Sequence, residues 1–447
     1  MIGKQKYTNQ SSMFNGLAEQ LDQKHPLYRL SHTINWQIFE DSFAVHYSEK
    51  MGAPSKPIRL MVSLLMLKHI RNLSDENLVE QWSENVYYQY FGGEQIYRPS
   101  VPCSSTELVG FRKRIGVVGM ELILKESITV NRTDKDDHFG ETISIDTTVQ
   151  EKNITYPTDD KLYKKIISKC VSIAQKEGIV LTQTYAKELK KLSFQQRFKK
   201  RKNGYKIARR ANKRVKTISG RILRDLERKL SPQAVVANSG NLVLFAKALA
   251  QKRGDKAKTY SLHEPDVKCY AKGKEHKKFE FGSKVSIAIC QATGVIIGAL
   301  NFTETLHDSK TIPAVLQQVT KLTNETPKEA FADRGYVGKT THGDTQIYTP
   351  KPNPNITAAQ RKKHGRRAAV EPVIGHLKKD HRLGTNFLKG VIGDEINVLL
   401  AAAAMNFKRV MNLWKKEANE WWKLIYIFIV SVYWKFYAQK LKVLFEG

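Results

Sequence analysis

Apolar runs with helical spacing alternate with polar breaks over roughly the first 135 residues, and this pattern predicts a mostly helical region. The segment "PIRLMVSLLMLKHI" is apolar enough for a buried helix, and a break at residues 72–74 separates it from "DENLVEQWSE". Ser74 suits an N-cap, and Asp75 and Glu76 suit the positive end of a helix. Such a pair of helices can be a DNA-binding helix-turn-helix. The first helix is too apolar to lie exposed, so a helical core or dimer surface is slightly favoured.

The hydrophobic period changes to that of a β-strand at "ETISIDTTVQ". Alternation there places Ile143 and Ile145 on one face and Ser144, Asp146 and Thr148 on the other. Further strands are predicted in "KFEFGSKVSIAIC", "GVIIGALNF" and "EAFADRGYVG", and a helix in "TIPAVLQQVTKL". Strands and helices in this order predict an α/β layer built on a mixed sheet.

A very basic helical segment, about residues 160–230, follows the first strand. From Lys190 to Lys229 there are 17 Lys or Arg residues against two acids, Asp225 and Glu227. Like charges three or four residues apart destabilise an isolated helix, so this run predicts contact with phosphates; disorder in the free protein is the alternative. The predicted DNA contacts here are Lys199, Lys200, Arg201, Lys202, Arg209, Arg210, Lys213 and Arg214.

Charge and composition point to the same kind of partner. The chain has 447 residues, enough for two or three domains, and 41% of them are hydrophobic. Its formal net charge of +31 exceeds what solubility requires, so a polyanion, above all nucleic acid, is the expected partner. No C-x-x-C pair is present, so neither a zinc site nor a disulfide framework is indicated and buried thiols in a reducing cytoplasm are expected. The four cysteines are Cys103, Cys170, Cys269 and Cys290.

The C-terminal tail "WWKLIYIFIVSVYWKFYAQKLKVLF" is the one feature that favours a membrane. Its uncharged run, Leu424 to Trp434, has only 11 residues between two lysines, whereas a membrane-spanning helix needs about 20. A buried or docked segment is therefore predicted, with an interfacial segment as the alternative.

Three carboxylates are candidates for chemistry. Asp146 lies inside a strand, where β-propensity disfavours Asp, although a strand-edge or turn Asp is the alternative. Asp333 follows "EAFA" at the carboxyl end of a strand, where α/β sheets bind ligands, and a turn-forming Asp explains it about as well. Glu371 stands among arginines and lysines, where it could also cap a helix or form a salt bridge. Together the three acids could hold two Mg²⁺ ions about 4 Å apart, the arrangement used in phosphodiester chemistry.

The surroundings of Glu371 predict bases beside the acid. If one helix runs through Arg367, Glu371 and Lys378, all three lie on one face. Pro372 complicates this prediction, because it either kinks that helix or makes Glu371 its N-cap.

Long blocks of the chain, in order, resemble the DDE transposases of bacterial insertion sequences, of the insertion-sequence-5 group, which have an RNase H-like catalytic core. The blocks include "HPLYRLSHTINWQIFEDSF", "ISIDTTVQEKNITYPTDDKLY", "FADRGYVG" and "EPVIGHLKKDHRLGTNFLKGVIGDEINVLLAAAAMNF". The resemblance implies that Asp146, Asp333 and Glu371 are the catalytic metal ligands. In the R-x(3)-E-x(6)-K pattern of the family, Arg367 and Lys378 match and imply DNA contacts, while His364 stands where a Tyr is often found.

The resemblance also implies an organisation and an activity. Residues 1–135 would form a helical DNA-binding or dimerisation domain, residues 136–412 an RNase H-like catalytic domain with a basic helical insertion at about 160–250, and residues 413–447 an apolar tail. The implied enzyme is a polynucleotidyl transferase that uses two Mg²⁺ ions, with Mn²⁺ as a substitute. It cleaves DNA at the terminal repeats of a mobile element and joins the ends to target DNA.

The resemblance further implies double-stranded DNA as partner, a homodimer in the DNA complex, and a place in the bacterial cytoplasm near the nucleoid without stable membrane association. The alternative is a non-catalytic DNA-binding protein derived from such an enzyme, against which the three intact acids argue.

Overall fold

The computed structural model describes residues 16–48, 52–132, 139–198, 201–202, 204–252, 254–273, 277–336, 340–350 and 357–445. The side chains of residue 360 and of residues 418–445 lie outside this description. Within it, the chain begins with helices, continues through a mixed sheet interrupted by a helical insertion, and ends in a long helix.

The described part of the N-terminal region is helical, as the apolar periodicity predicts, and a kink at Gly116 divides its last helix. The longest apolar run is buried at every position except Arg59, so it is a core helix and the favoured interpretation of this pair is confirmed. The Ser74 side chain accepts a hydrogen bond from the amide of Asn77, which confirms it as the N-cap of the next helix. The helices are α1 Leu17–Gln20, α2 Pro26–Thr33, α3 Trp36–Ala44, α4 Ile58–Ile70, α5 Asp75–Glu84, α6 Val86–Phe91 and α7 Ser105–Asn131.

A mixed sheet forms the centre of the molecule. Its strands are β1 Thr142–Lys152, β2 Lys268–Ala271, β3 Phe279–Cys290, β4 Ile296–Phe302, β5 Glu329–Phe331, β6 Thr341–His342, β7 Thr345–Tyr348 and β8 Thr385–Asn386. Strand β3 pairs antiparallel with β1 on one side and with β4 on the other. On its other edge β1 pairs in parallel with β5, and β5 in parallel with β7. This mixed α/β arrangement is consistent with the expected RNase H-like core.

The basic segment folds as a helical insertion between β1 and β2. Its helices are α8 Asp159–Lys176, α9 Ala186–Arg197, α10 Gly204–Lys229 and α11 Pro232–Ala250. Val215, Ile218 and Ile222 are buried at helical spacing on α10, within an apolar cluster contributed by all four helices. The insertion therefore has its own small core, and α10 has one apolar face and one cationic face.

The remaining helices cover the sheet and connect it to the N-terminal region. They are α12 Ile312–Thr323, α13 Ala358–Arg367, α14 Val370–Asp380 and α15 Gly390–Phe445. Helix α15 packs against α4, α7 and β4, so one apolar core runs continuously from the first helices into the sheet. The stretch Gly390–Glu417 is long and apolar enough to cross a membrane, but 72% of its most apolar part lies inside the protein, as in a core helix. The backbone of residues 424–434 continues α15, while the side chains of the predicted docked segment lie outside the described residues.

Candidate active site

The register of two parallel strands places Asp146 beside Asp333. Ser144 of β1 pairs with Phe331, the last residue of β5. Both acids lie two residues further along their chains, so the register carries Asp146 and Asp333 to adjacent positions at the edge where β5 ends. The two acids come from segments about 190 residues apart, and the pairing of β1 with β5 is what brings them together.

The turn after β5 holds Asp333 in place. The amide of Gly335 donates a hydrogen bond of 2.9 Å to Asp333 Oδ1. A Cβ atom at Gly335 would lie 3.0 Å from Asp333 Oδ1 and 3.1 Å from Asp308 Oδ2, closer than nearly all real Cβ contacts. Residue 335 must therefore be glycine if both carboxylates are to keep these positions.

Arg367, Glu371 and Lys378 do not lie on one uninterrupted helix; of the two effects expected of Pro372, the interruption of the helix is the one observed. Helix α13 ends at Arg367, and α14 begins at Val370 with Ala369 as its N-cap, so Glu371 is not the N-cap. The physical reason is Pro372, which has no amide proton for a helical hydrogen bond and is tolerated only in the first turn of a helix. Arg367 and Glu371 nevertheless remain neighbours, with 3.8 Å between Nη2 and Oε1.

The three acids share one electrostatic field. The pKa of Asp146 is raised to about 6. Burial is the largest cause, and the charges of Asp333 and Glu371 contribute to the same rise. The amide of Thr147, which donates to Asp146 Oδ1 at 2.8 Å, and the charge of Arg367 act in the opposite direction. Mutual repulsion among carboxylates is what a bound cation relieves, and hard oxygen donors are the ligands that Mg²⁺ prefers.

The chemistry of these donors fits a divalent ion, although the acids do not enclose one as they stand. Tyr336 and Ser286 are fully buried beside these acids. Burial, together with the charges of Asp146 and Asp308, raises the pKa of Tyr336 well above its usual value, which keeps this hydroxyl protonated beside the acids. Among the described residues, no three His, Cys, Asp or Glu side chains lie close enough to hold a metal, and the Glu371 side chain is 67% exposed.

A fourth acid, Asp308, lies in this site. It was not identified from the sequence. Its Oδ1 accepts hydrogen bonds from the Thr147 hydroxyl at 2.8 Å and from Lys284 Nζ at 2.7 Å. Thr147 thus contacts two acids, Asp146 through its amide and Asp308 through its hydroxyl. The sequence signal for this cluster was Lys284, a charged residue in the otherwise apolar run "KVSIAIC" of β3.

The bases predicted around Glu371 differ in their surroundings. Lys378 Nζ lies 3.9 Å from Glu280 Oε1, and burial lowers the pKa of this lysine while Glu280 opposes the shift. The Arg367 side chain is 20% exposed. His364 packs edge to face against Phe331, with 4.9 Å between ring centroids, so this position supports the end of β5.

The bases predicted on the insertion are mostly exposed. The guanidinium of Arg214 instead forms two hydrogen bonds with Glu188, of 2.6 and 3.2 Å. Lys199 and Lys200 lie outside the described residues. The predicted bases of the insertion that are exposed to solvent are Arg201, Lys202, Arg209, Arg210 and Lys213.

Comparisons with known proteins identify transposase domains in two parts of the chain. Residues 16–114 match the family model described as "Transposase domain (DUF772)", and residues 252–407 match the model described as "Transposase DDE domain". The chain is also similar to an uncharacterized protein, ORF8 in the nfe locus of Rhizobium meliloti, with 37% identity over 180 residues. That match covers 40% of this chain and 86% of the Rhizobium protein. No solved structure matches the chain.

Proposed function

The chain belongs to the DDE transposases of insertion sequences, and from this premise we propose that it cleaves DNA at the ends of a mobile element and joins those ends to target DNA. The observation that carries the proposal is the pairing of β1 with β5, which places Asp146 beside Asp333. Both steps are phosphoryl transfers, which depend on positioning and on charge stabilisation rather than on a covalent protein intermediate.

In this proposal Asp146, Asp333 and Glu371 hold the catalytic metal. Two Mg²⁺ ions, or Mn²⁺ in their place, would polarise the scissile phosphate and stabilise the leaving oxygen. The protein contributes the orientation of the acids: the amide of Thr147 fixes Asp146, and the amide of Gly335 fixes Asp333. Glu371 lies in the first turn of α14 with an exposed side chain, and in this proposal that side chain moves to join the other two acids.

In this proposal, the partner of Arg367 changes from a carboxylate to a phosphate when DNA binds. Its guanidinium lies 3.8 Å from Glu371, and its charge also acts on Asp146. A phosphate group offers Arg367 a stronger bidentate partner than a solvated carboxylate. We therefore expect DNA binding to draw Arg367 onto the backbone and to release Glu371 for the metal.

The second candidate function, a non-catalytic DNA-binding protein, is favoured by one observation. No three acidic, histidine or cysteine side chains in the described ranges are close enough to bind a metal without rearrangement. Such a protein would need the cationic surfaces but not the carboxylates. Recognition of the ends of a mobile element, and a homodimer in the DNA complex, belong to the transposase proposal and not to this second candidate.

An end-cleavage assay separates the two candidates. The substrate is a labelled duplex that carries the sequence flanking the gene, incubated with the full-length protein in EDTA, Mg²⁺ or Mn²⁺. The transposase proposal expects a nick at the element boundary with either metal and none in EDTA. Binding without a nick under all three conditions, at protein concentrations that saturate the DNA, would favour the non-catalytic candidate.

A further inference from the structure

A basic cleft of about 810 Å³ lies on the side of the molecule where α4 ends against α14 and α15. Four cationic side chains line it: Arg71, Lys408, Arg409 and Lys416. Arg71 follows the last residue of α4, and the other three project from α15. The cleft thus lies where the N-terminal helices meet the catalytic region.

The positive charge of this cleft is not balanced by its own acids. Asp380 is the one acidic residue among the described residues that line it. Its Oδ2 is already bonded to His376 Nδ1 at 2.7 Å, and that hydrogen bond is the main cause that lowers the pKa of Asp380. Lys408 is affected by its cationic neighbours, since burial and then the charges of Arg71 and Lys415 lower its pKa. An anion in the cleft would relieve this repulsion.

Arg71 supplies an independent indication of a missing ligand. Its Nε atom is buried and has no hydrogen-bond partner within the described residues. The guanidinium carbon lies 5.7 Å from the centre of the Tyr88 ring, so the side chain is held by a ring contact rather than by an acid. A buried donor without a partner costs free energy, and a phosphate oxygen is the acceptor that best matches a guanidinium.

The cleft lies on the opposite side of α14 from Glu371. Val373, His376 and Asp380 line it, and they follow Glu371 by two, five and nine residues. At about 100° per residue these three residues point roughly 140° to 200° away from Glu371 around the helix. A ligand in the cleft is therefore separated from the carboxylates by the width of α14, on the order of 10 Å.

We propose that this cleft binds the phosphate backbone of double-stranded DNA at a segment other than the one whose bond is cleaved. The inference rests on the proposed function, because DNA is taken as the substrate. Lysines and arginines in excess of acids are the electrostatic complement of a phosphate chain, and such contacts position a duplex without reading its sequence. The cleft would hold the backbone of one DNA segment on the surface where the end of α4 meets α14 and α15, while another segment lies at the acids.

The test measures DNA affinity as a function of salt for two matched double variants of the full-length protein. Lys408→Gln/Lys416→Gln removes two charges from the cleft, and Lys321→Gln/Lys328→Gln removes two from exposed positions outside the cleft and the insertion, where each lysine is paired with a glutamate. We expect the cleft variant to bind a duplex about fivefold more weakly at moderate salt. Its slope of log K against log salt should fall by about 1.8, or 0.9 for each phosphate that is no longer neutralised. The control variant should change the slope far less, and equal slopes in the two variants would overturn the proposal.

Two further measurements keep the outcome unambiguous. The single variant Lys416→Gln changes an exposed side chain, so it should fold normally and still lower the slope by about 0.9. Inorganic phosphate that binds the cleft in calorimetry, with DNA affinity unchanged in the variants, would show a small-anion site and overturn the proposal. Metal-dependent cleavage by the unaltered protein is measured in parallel. Its absence would defeat the proposed function, while weaker DNA binding by the cleft variants would still support the cleft.

Discussion

At the scale of single residues, Gly335 is the position with the least freedom in the candidate site. Its missing Cβ leaves room for Asp333 and Asp308, whose oxygens would lie 3.0 and 3.1 Å from that atom. We predict that Gly335→Ala lowers the cleavage rate about 100-fold, because a displacement near 1 Å is enough to misalign a catalytic group. Gly110→Ala is the matched control, since no atom lies within 4 Å of its added Cβ. Wild-type cleavage by Gly335→Ala would show that Asp333 is not positioned by this turn.

The pair of Asp308 and Lys284 permits a second test at this scale. Lys284 is only 13% exposed, so Asp308→Asn leaves a nearly buried ammonium group without its counter-charge. We predict that Asp308→Asn lowers the free energy of unfolding by about 2 kcal/mol. Lys284→Met in the same background should recover much of that stability, because it removes the unpaired charge. Urea denaturation of the two single variants and the double variant measures this coupling, and strictly additive effects would show that the pair is not coupled.

At the residue scale, the useful sequence signal is a residue that conflicts with its own element. Asp146 in a strand was singled out for this reason, and the structure places it beside Asp333. Lys284 in an apolar run gives the same kind of signal and pairs with Asp308, but it was not singled out from the sequence. Asp308 shows no such conflict, because an Asp in a loop before a helix is ordinary. Its role depends on Thr147 and Lys284, which are distant in sequence and meet it only in the folded chain.

At the scale of elements, α10 presents bases of two kinds. Arg209 and Arg210 are exposed, whereas Arg214 is bonded to Glu188 of α9. We predict that Arg209→Gln/Arg210→Gln lowers the slope of log K for DNA against log salt by about 1.8. Arg214→Gln, the control, should change the slope by much less than about 0.9, because its charge is already paired within the protein. An unchanged slope in the double variant would remove α10 from the DNA path.

Elements with a long periodic pattern were predictable, and short ones were not. The buried helix α4, the strand β1 and the basic helices follow from hydrophobic period and capping residues. Strands β2, β6, β7 and β8 have two to four residues each, too few to show a period, and they exist because neighbouring strands accept their hydrogen bonds. Pro372 signals the interruption between α13 and α14 in the sequence, but the sequence does not show that Arg367 and Glu371 stay 3.8 Å apart across it.

At the scale of the whole molecule, a buried polar network joins the N-terminal helices to the catalytic region. His69 of α4 bonds Asn397 of α15 at 3.1 Å, and the His381 ring donates to the carbonyl of His69 at 2.9 Å. Burial, followed by the charge of Lys68, lowers the pKa of His69 to about 3, and burial also lowers the pKa of His381. The folded state therefore keeps His69 neutral and disfavours the protonated form of His381.

This network predicts that stability falls with acid. Above the unfolded-state pKa of about 6.5, the stabilisation from the neutral histidines is fully present. Below that pH the histidines bind protons more readily in the unfolded chain than in the folded chain, so the stabilisation is lost. We expect protonation of His69 in the unfolded chain to lower the free energy of unfolding by up to about 1.4 kcal/mol per pH unit between about pH 6 and pH 5. Urea denaturation across this range should show a shallower dependence for His69→Gln than for the wild type. Equal dependences would exclude His69 as the cause.

The central claim is that Asp146, Asp333 and Glu371 bind one set of divalent ions when DNA is present, and metal-directed backbone cleavage tests it most directly. Fe²⁺ substitutes for Mg²⁺ in the protein–DNA complex, and ascorbate with peroxide then generates hydroxyl radicals that cut the chain close to the bound ion. We predict three groups of cuts, near residues 146, 333 and 371, which excess Mg²⁺ suppresses and which Asp146→Ala abolishes together. Cuts near residues 146 and 333 without any near residue 371, or cuts that Mg²⁺ does not suppress, would contradict the claim.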